Sequence, residues 1–246
     1  MESKFKKMVV GSTAILCCVI VVLCGLWCNH HSGTLPCARV SIVVQDSVER
    51  QFVGVTELVN YLDSCGLYPQ GKVLSTVDCQ TLEQSLKKHE MLRTACCYKT
   101  AYNGVCMVVD QRVPVMIVFT DDSCGYYVDM ERTIMPMRSK VNVRVPVFRG
   151  AVNENSAKAE YYDFAQWLSK DAYWSKKIHE VHVLAPNDLM LTQTDDNATI
   201  LLGSLDDYAS KLDKMRVFYE KGADIVDYSQ YKAYDVRYSG QVVGKK

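Results

Sequence analysis

Twenty consecutive uncharged residues, Met8 to Trp27, follow directly on Lys4, Lys6 and Lys7. At about 1.5 Å per residue a helix of that length covers the roughly 30 Å hydrocarbon core of a bilayer. No Lys or Arg follows Trp27 until Arg39, so the positive-inside bias leaves the N-terminus cytoplasmic and everything from about Cys28 to Lys246 on the far side. A cleaved signal peptide is the rival reading. Its apolar region is about 7–15 residues with a small-residue cleavage site, whereas this run is longer and ends in Leu26-Trp27-Cys28-Asn29-His30-His31. The pattern favours an uncleaved single-pass anchor.

Beyond the anchor, apolar positions switch between strand and helix spacing. Val40–Val44 alternate as a short strand. Thr56 is read as the cap of a helix with Leu58, Tyr61, Leu62 and Cys65 on one face, stopped at Gly66. A second helix from about Asp78 turns Leu82, Leu86 and Met91 inward, with His89 late in it. Ala95–Tyr102 and Val105–Val109 flank Asn103-Gly104, which predicts a hairpin on a two-residue turn with φ > 0 at both positions. The order is strand, helix, helix, strand, strand.

From Pro114 onward strands predominate: Val115–Thr120, Tyr126–Asp129 and Val141–Phe148, with a turn at Asp121-Asp122-Ser123. A helix at about Ser156–Lys170 buries Tyr161, Phe164, Ala165 and Leu168. Strands follow at Ile178–Leu184, Leu189–Thr192 and Ala198–Leu202, joined by turns at Ala185–Asp188 and Thr194–Asn197. After Gly203, Ser204 and Asp207 read as a capping pair for a helix with the seam Leu205, Tyr208, Leu212, Met215 and Tyr219. The last predicted element is one strand from Tyr234 to about Val243.

Charge narrows the function classes. Met1–Lys7 holds three of the 28 basic and one of the 28 acidic side chains, so the exported part carries 25 and 27, a formal charge of −2. Without a basic stripe, nucleic acid and anionic membrane surfaces are poor partners. Of eleven cysteines, Cys17, Cys18, Cys24 and Cys28 belong to the anchor or its edge, and the other seven show no Cys-x-x-Cys spacing. They read mainly as small buried apolar side chains, with a bridge from Cys96 or Cys97 to Cys106 as the alternative.

No residue pattern selects a catalytic, cofactor or metal site. His179-x-x-His182 is the most tempting metal pair, but residues three apart in a strand face opposite sides. His30-His31 stands at the membrane edge, and Asp121-Asp122, Asp195-Asp196 and Asp206-Asp207 occupy turns or a helix start for backbone reasons. There is no G-x-S-x-G, S-x-x-K or P-loop. Fifteen tyrosines against six phenylalanines suit an interface as well as half-exposed sheet faces.

Several strings together resemble a known family. Tyr98-Lys99-Thr100 before the hairpin, then Asp110-Gln111-Arg112-Val113-Pro114-Val115, resemble the closing strand of a polypeptide-transport-associated (POTRA) domain. Tyr126-Tyr127-Val128-Asp129, Val145-Pro146-Val147-Phe148-Arg149-Gly150, Leu201-Leu202-Gly203 and Tyr234-Asp235-Val236-Arg237-Tyr238 resemble β-domain segments of the bacterial cell-division family FtsQ/DivIB. The resemblance spans Lys4 to Lys246 and departs from the family in its cysteine content, its very short cytoplasmic tail and the detail of the polar segment Ser229–Gly240. It implies an α+β chain: tail 1–7, transmembrane helix 8–28, a small POTRA-like β-α-α-β-β domain over 38–113, and a mixed β-sheet domain with flanking helices over 114–246. It implies no reaction and no cofactor. It implies a divisome scaffold in the inner membrane at the septum, binding FtsB- and FtsL-like bitopic proteins and linking them to septal peptidoglycan synthesis.

The family's partner FtsB adds a strand to the edge of the last β-domain strand, which carries over to Tyr234, Asp235, Val236, Arg237, Tyr238, Ser239 and Gly240. A terminal strand at a sheet edge offers free N–H and C=O groups as a template. Proline at Val236 is then expected to delete an edge donor. Two other classes stay open at this stage: a membrane-tethered envelope enzyme or sensor with an unrecognised pocket, and an outer-membrane assembly component.

Overall fold

A computed structural model describes residues 16–26, 35–45, 52–120, 125–137, 143–194, 198–222 and 226–246. Residues 16–26 form helix α1, with side chains exposed along its length. The rest of the predicted anchor, the tail 1–7 and His30-His31 lie outside the described residues. Among the described residues no helix is long and apolar enough to cross a membrane. The chain divides into two compact units, residues 1–111 and 112–246.

In the first unit, β1 (Arg39–Gln45), α2 (Val55–Ser64), α3 (Cys79–Lys87), β2 (Leu92–Thr100) and β3 (Gly104–Gln111) follow in the expected order. The sheet order is β1-β3-β2, with β1 parallel and β2 antiparallel to β3. Val40, Ile42 and Val44 of β1 pair with Val105, Met107 and Val109 of β3. These residues share one sheet face because alternate strand positions do. Leu58 and Leu62 of α2 and Leu82 and Leu86 of α3 are buried, and each contributes about 1.5–3 kcal/mol. The buried Gln111 side chain accepts the Phe52 and Val53 N–H groups at 2.7 and 2.9 Å, tying the end of β3 to the loop before α2.

Local chemistry departs from expectation at three points here. The cap of α2 is Gly54, whose carbonyl accepts Glu57 and Leu58 N–H, so Thr56 sits inside the first turn. Met91 is buried and His89 stands beyond α3, which starts on the Asp78 cap and ends at Lys87. The hairpin register pairs Thr100 with Gly104, leaving Ala101-Tyr102-Asn103 as a three-residue loop in which Asn103 alone has positive φ, 53°. Glycine is needed at 104 for space instead, since a Cβ there would stand 2.8 Å from the Arg39 carbonyl oxygen.

The second unit is built on a nine-stranded mixed sheet. Its strands are β4 (Pro114–Phe119), β5 (Gly125–Asp129), β6 (Ile134–Pro136), β7 (Val147–Gly150), β8 (Ile178–Ala185), β9 (Asp188–Gln193), β10 (Thr199–Gly203), β11 (Ala233–Asp235) and β12 (Val243–Lys245). The spatial order is β12-β11-β10-β9-β8-β7-β4-β5-β6. Parallel pairs need crossovers. Of the three here, β7 runs through α4 (Glu154–Lys158), α5 (Glu160–Lys170) and α6 (Trp174–Lys177) to β8, β10 runs through α7 (Tyr208–Gly222) to β11, and β4 reaches β7 by way of β5 and β6. Tyr161, Phe164 and Leu168 of α5 and Leu212 and Met215 of α7 share one core with Phe148, Val181, Leu191, Ile200 and Tyr234. Phe164 and Trp167 meet Tyr208 edge-on at 5.1 and 5.2 Å, joining the two helices.

Two strings behind the family resemblance prove to be in contact. Asp129 is buried; its Oδ2 takes Arg112 NH1 at 2.6 Å and its Oδ1 takes the Glu131 and Thr133 N–H groups at 2.9 and 2.7 Å. Arg112 thereby bolts the start of β4 to the β5–β6 turn.

Several boundaries in this unit also shift. The strand expected over 141–148 is confined to Val147–Gly150, because Pro146 has no N–H to donate, and residues 138–142 lie outside the described residues. The short β6 has no counterpart in the sequence reading. The helix expected over 156–170 is two helices broken at Ala159 (φ −107°, ψ −109°), the first started by a capping box of Asn153 and Ser156. The expected Ser204–Asp207 capping box gives way to a start at Tyr208, with Asp207 just before it left-handed (φ 50°) and its carbonyl accepting the Lys211 N–H at 3.0 Å. The expected strand from Tyr234 to Val243 is two short strands, β11 and β12, separated by a turn in which Gly240 has φ 74°. The turns at 121–123 and 195–197 lie outside the described residues.

Candidate functional site: the C-terminal edge of the nine-stranded sheet

The segment Tyr234–Gly240 splits in two. Tyr234, Asp235 and Val236 are buried, and Arg237, Tyr238, Ser239 and Gly240 are exposed. Tyr234 packs against Phe218, Tyr219 and Tyr231 at ring separations of 5.8, 5.7 and 5.9 Å. β11 has a neighbour on both sides, β10 in parallel and β12 antiparallel. The Val236 N–H donates to Leu201 O of β10 at 3.1 Å. The edge expected at Tyr234–Val236 is therefore taken, and the chain's own last strand takes it. Proline at Val236 would break a bond inside the sheet rather than at its edge.

Asp235 organises this corner. Its side chain is 1% exposed and takes Arg237 Nε at 2.9 Å, Arg237 NH2 at 2.7 Å and Lys245 Nζ at 3.2 Å. These donors hold its carboxyl well below the usual carboxylate range, with the Arg237 bonds the largest cause and burial opposing. Arg237 in turn lies over Gly203, where a Cβ would fall 2.8 Å from its Cδ. From the helix side, Lys214 of α7 donates its ammonium to the Val236 carbonyl at 2.9 Å and to the Tyr238 carbonyl. Burial, and Lys211 beside it, pull that ammonium's pKa down.

The sheet has two outer strands, β12 and β6. β6 carries Pro136, which lacks an N–H, whereas Val243-Gly244-Lys245 has no proline and all three residues are exposed. Sequence reasoning missed β12, and Ser239-Gly240 inside the predicted strand was the available signal, being a turn dipeptide.

The remaining candidates do not assemble into a site. His182 pairs with Glu180 at 2.8 Å and Glu180 with Arg149 at 2.9 Å, while His179 meets the Thr194 hydroxyl at 3.3 Å. His89 approaches Glu57 at 3.6 Å. Among the described residues no group of three or more metal-binding side chains occurs. The described cysteines are all free thiols. Cys37, Cys97 and Cys106 are buried, whereas Cys79 is half-buried and Cys65 and Cys96 are exposed, so the reading as buried apolar side chains holds for only part of the set. Cys106 stands opposite Tyr98 in the hairpin, with Cys96 opposite Val108 and Cys97 opposite Met107, so the alternative bridge is absent as well.

A three-stranded β-α-α-β-β unit followed by a mixed sheet with helices on it defines a two-unit α+β protein of the POTRA-plus-β-domain class. Residues 35–110 match the POTRA-like domain, and residues 113–245 match the family described as FtsQ/DivIB, C-terminal related. The second match covers more than half of the chain, which belongs to this family of cell-division proteins. A comparison with curated proteins gave no match.

Proposed function

We propose that this protein is a non-catalytic scaffold of the divisome. In this reading residues 8–28 anchor it in the inner membrane with a cytoplasmic tail 1–7. The POTRA-like domain (38–113) and the β domain (114–246) then stand outside, at the septum. Its partners are FtsB- and FtsL-like bitopic proteins, which it links to septal peptidoglycan synthesis. The observation that carries the reading is the unproline-blocked outer edge of β12 on a family member's terminal sheet. An extended partner segment pairs there through its backbone, with Arg237, Tyr238, Ser239 and Gly240 exposed at the root of the strand. Three residues and Lys245 make this edge short and charged, which protects the free protein from edge-to-edge aggregation.

Val243→Pro and Gly244→Pro test it as a pair, because neighbouring N–H groups in a strand point to opposite edges. One variant loses the bond to β11, and the other loses a donor on the free edge. Gly244→Pro also sets a ring carbon against Tyr231, where a Cβ would stand 2.5 Å away, so both variants are expected to stop capturing the FtsB-like partner, with circular dichroism checking that the rest of the sheet stays folded. If both variants capture that partner at full strength, pairing at β12 is wrong.

A further inference from the structure

The edge exists only while β12 is docked, and three residues of strand are too few to dock through backbone pairing alone. Four other contacts hold the segment. Lys245 Nζ reaches the buried Asp235 carboxylate at 3.2 Å. The Lys232 N–H donates to Lys245 O at 2.8 Å. The Tyr231 ring lies against Gly244 so closely that a Cβ there would stand 2.5 Å from it. At the root, Lys214 holds the Val236 and Tyr238 carbonyls from α7.

Asp235 is thus shared between two cations with different duties. Arg237 closes the turn two residues on, and Lys245 belongs to the strap itself. Losing the strap leaves the buried carboxylate paired with Arg237, so β12 can leave without stranding a buried charge. We infer that β12 is a latch, that Asp235 and Lys214 are its positioning residues, and that the docked state and register of β12 are set by the Asp235–Lys245 contact. Resting on the reading above, the latch makes binding of an extended partner segment conditional on closure.

The test is amide hydrogen exchange at Val243–Lys245 in the full-length protein, with partner capture measured in parallel. Lys245→Met removes the strap's cation from an exposed position and keeps the buried carboxylate paired. Lys214→Met frees the root, and Lys245→Arg is the conservative rescue. In both methionine variants exchange at Val243–Lys245 is expected to rise about fivefold or more, with β8–β10 amides unchanged, and to return with arginine. Unchanged exchange at those amides in both overturns the latch. Faster exchange together with full partner capture upholds the latch and overturns the partner site at β12.

Discussion

Replacing Asp129 with Asn tests the physical link between the two strings that first suggested the family. The carboxylate is 1% exposed, against 16% for Arg112 and 54% for Glu131. Asparagine keeps an oxygen for the Glu131 and Thr133 N–H groups, but it removes the charge facing Arg112 and turns an amide donor toward a guanidinium. Breaking a buried pair from one side costs about 3–5 kcal/mol. Arg112 retains Glu131 at 3.3 Å and some access to water, which puts the expected loss at the lower end, about 3 kcal/mol. For a unit of about 135 residues that lowers the melting temperature by about 10 °C. A Trp27→Phe background leaves Trp167 and Trp174, both in the second unit, so intrinsic emission follows the right transition. Glu131→Gln is the control and should cost no more than about 0.5 kcal/mol. An Asp129→Asn protein melting within about 2 °C of the parent would show that the pair carries little, and the argument for its role in the fold would fail.

Two further outcomes follow from displaced acidities. Asp235 has a folded pKa below its unfolded one, so its contribution to stability is complete above the unfolded value and fades as pH falls through the folded one. The stability gap between the parent and Asp235→Asn in denaturant titrations should therefore be constant from about pH 8 to pH 5 and narrow only below about pH 4; narrowing between pH 7 and 5 would contradict the assignment. Burial, with Glu83 adding to it, pushes the Cys97 thiol up to about 12, whereas Cys96 beside it is exposed. An alkylating reagent at about pH 8 should label Cys96 and leave Cys97 unmodified until the protein unfolds, as read by peptide mass; equal labelling in the native state would refute the packing of β2.

Elements with a long periodic signal were legible in the sequence, and elements decided by single backbone angles were not. The β-α-α-β-β order, the helix starting near Asp78 and strands β8 to β10 follow from spacing, because each buries several side chains at one period. β6 is three residues long, too short to show a period. The break at Ala159 and the left-handed Asp207 are set by single backbone angles, which leave no mark on the hydrophobic period. At the candidate site one edge strand was drawn where the structure has two. Tyr234, Val236 and Tyr238 alternate as an edge strand should, but the first two are buried in the core, and the alternation runs into a Ser-Gly turn.

That misplacement has a physical consequence for how an edge is made available. A strand that supplies its face to the core, as β11 does with Tyr234, cannot yield without unpacking Phe218 and Tyr219. A strand that supplies nothing to the core, as β12 does with three exposed residues, is free to respond to what binds beside it. Between the two stands Asp235, buried like a core residue and bonded to the exposed Arg237 and Lys245. In the proposed reading, stability and recognition at this corner are divided between adjacent strands, and the carboxylate is the point where one constrains the other. Substitutions at Tyr234 should consequently act on folding, and substitutions at Lys245 on binding.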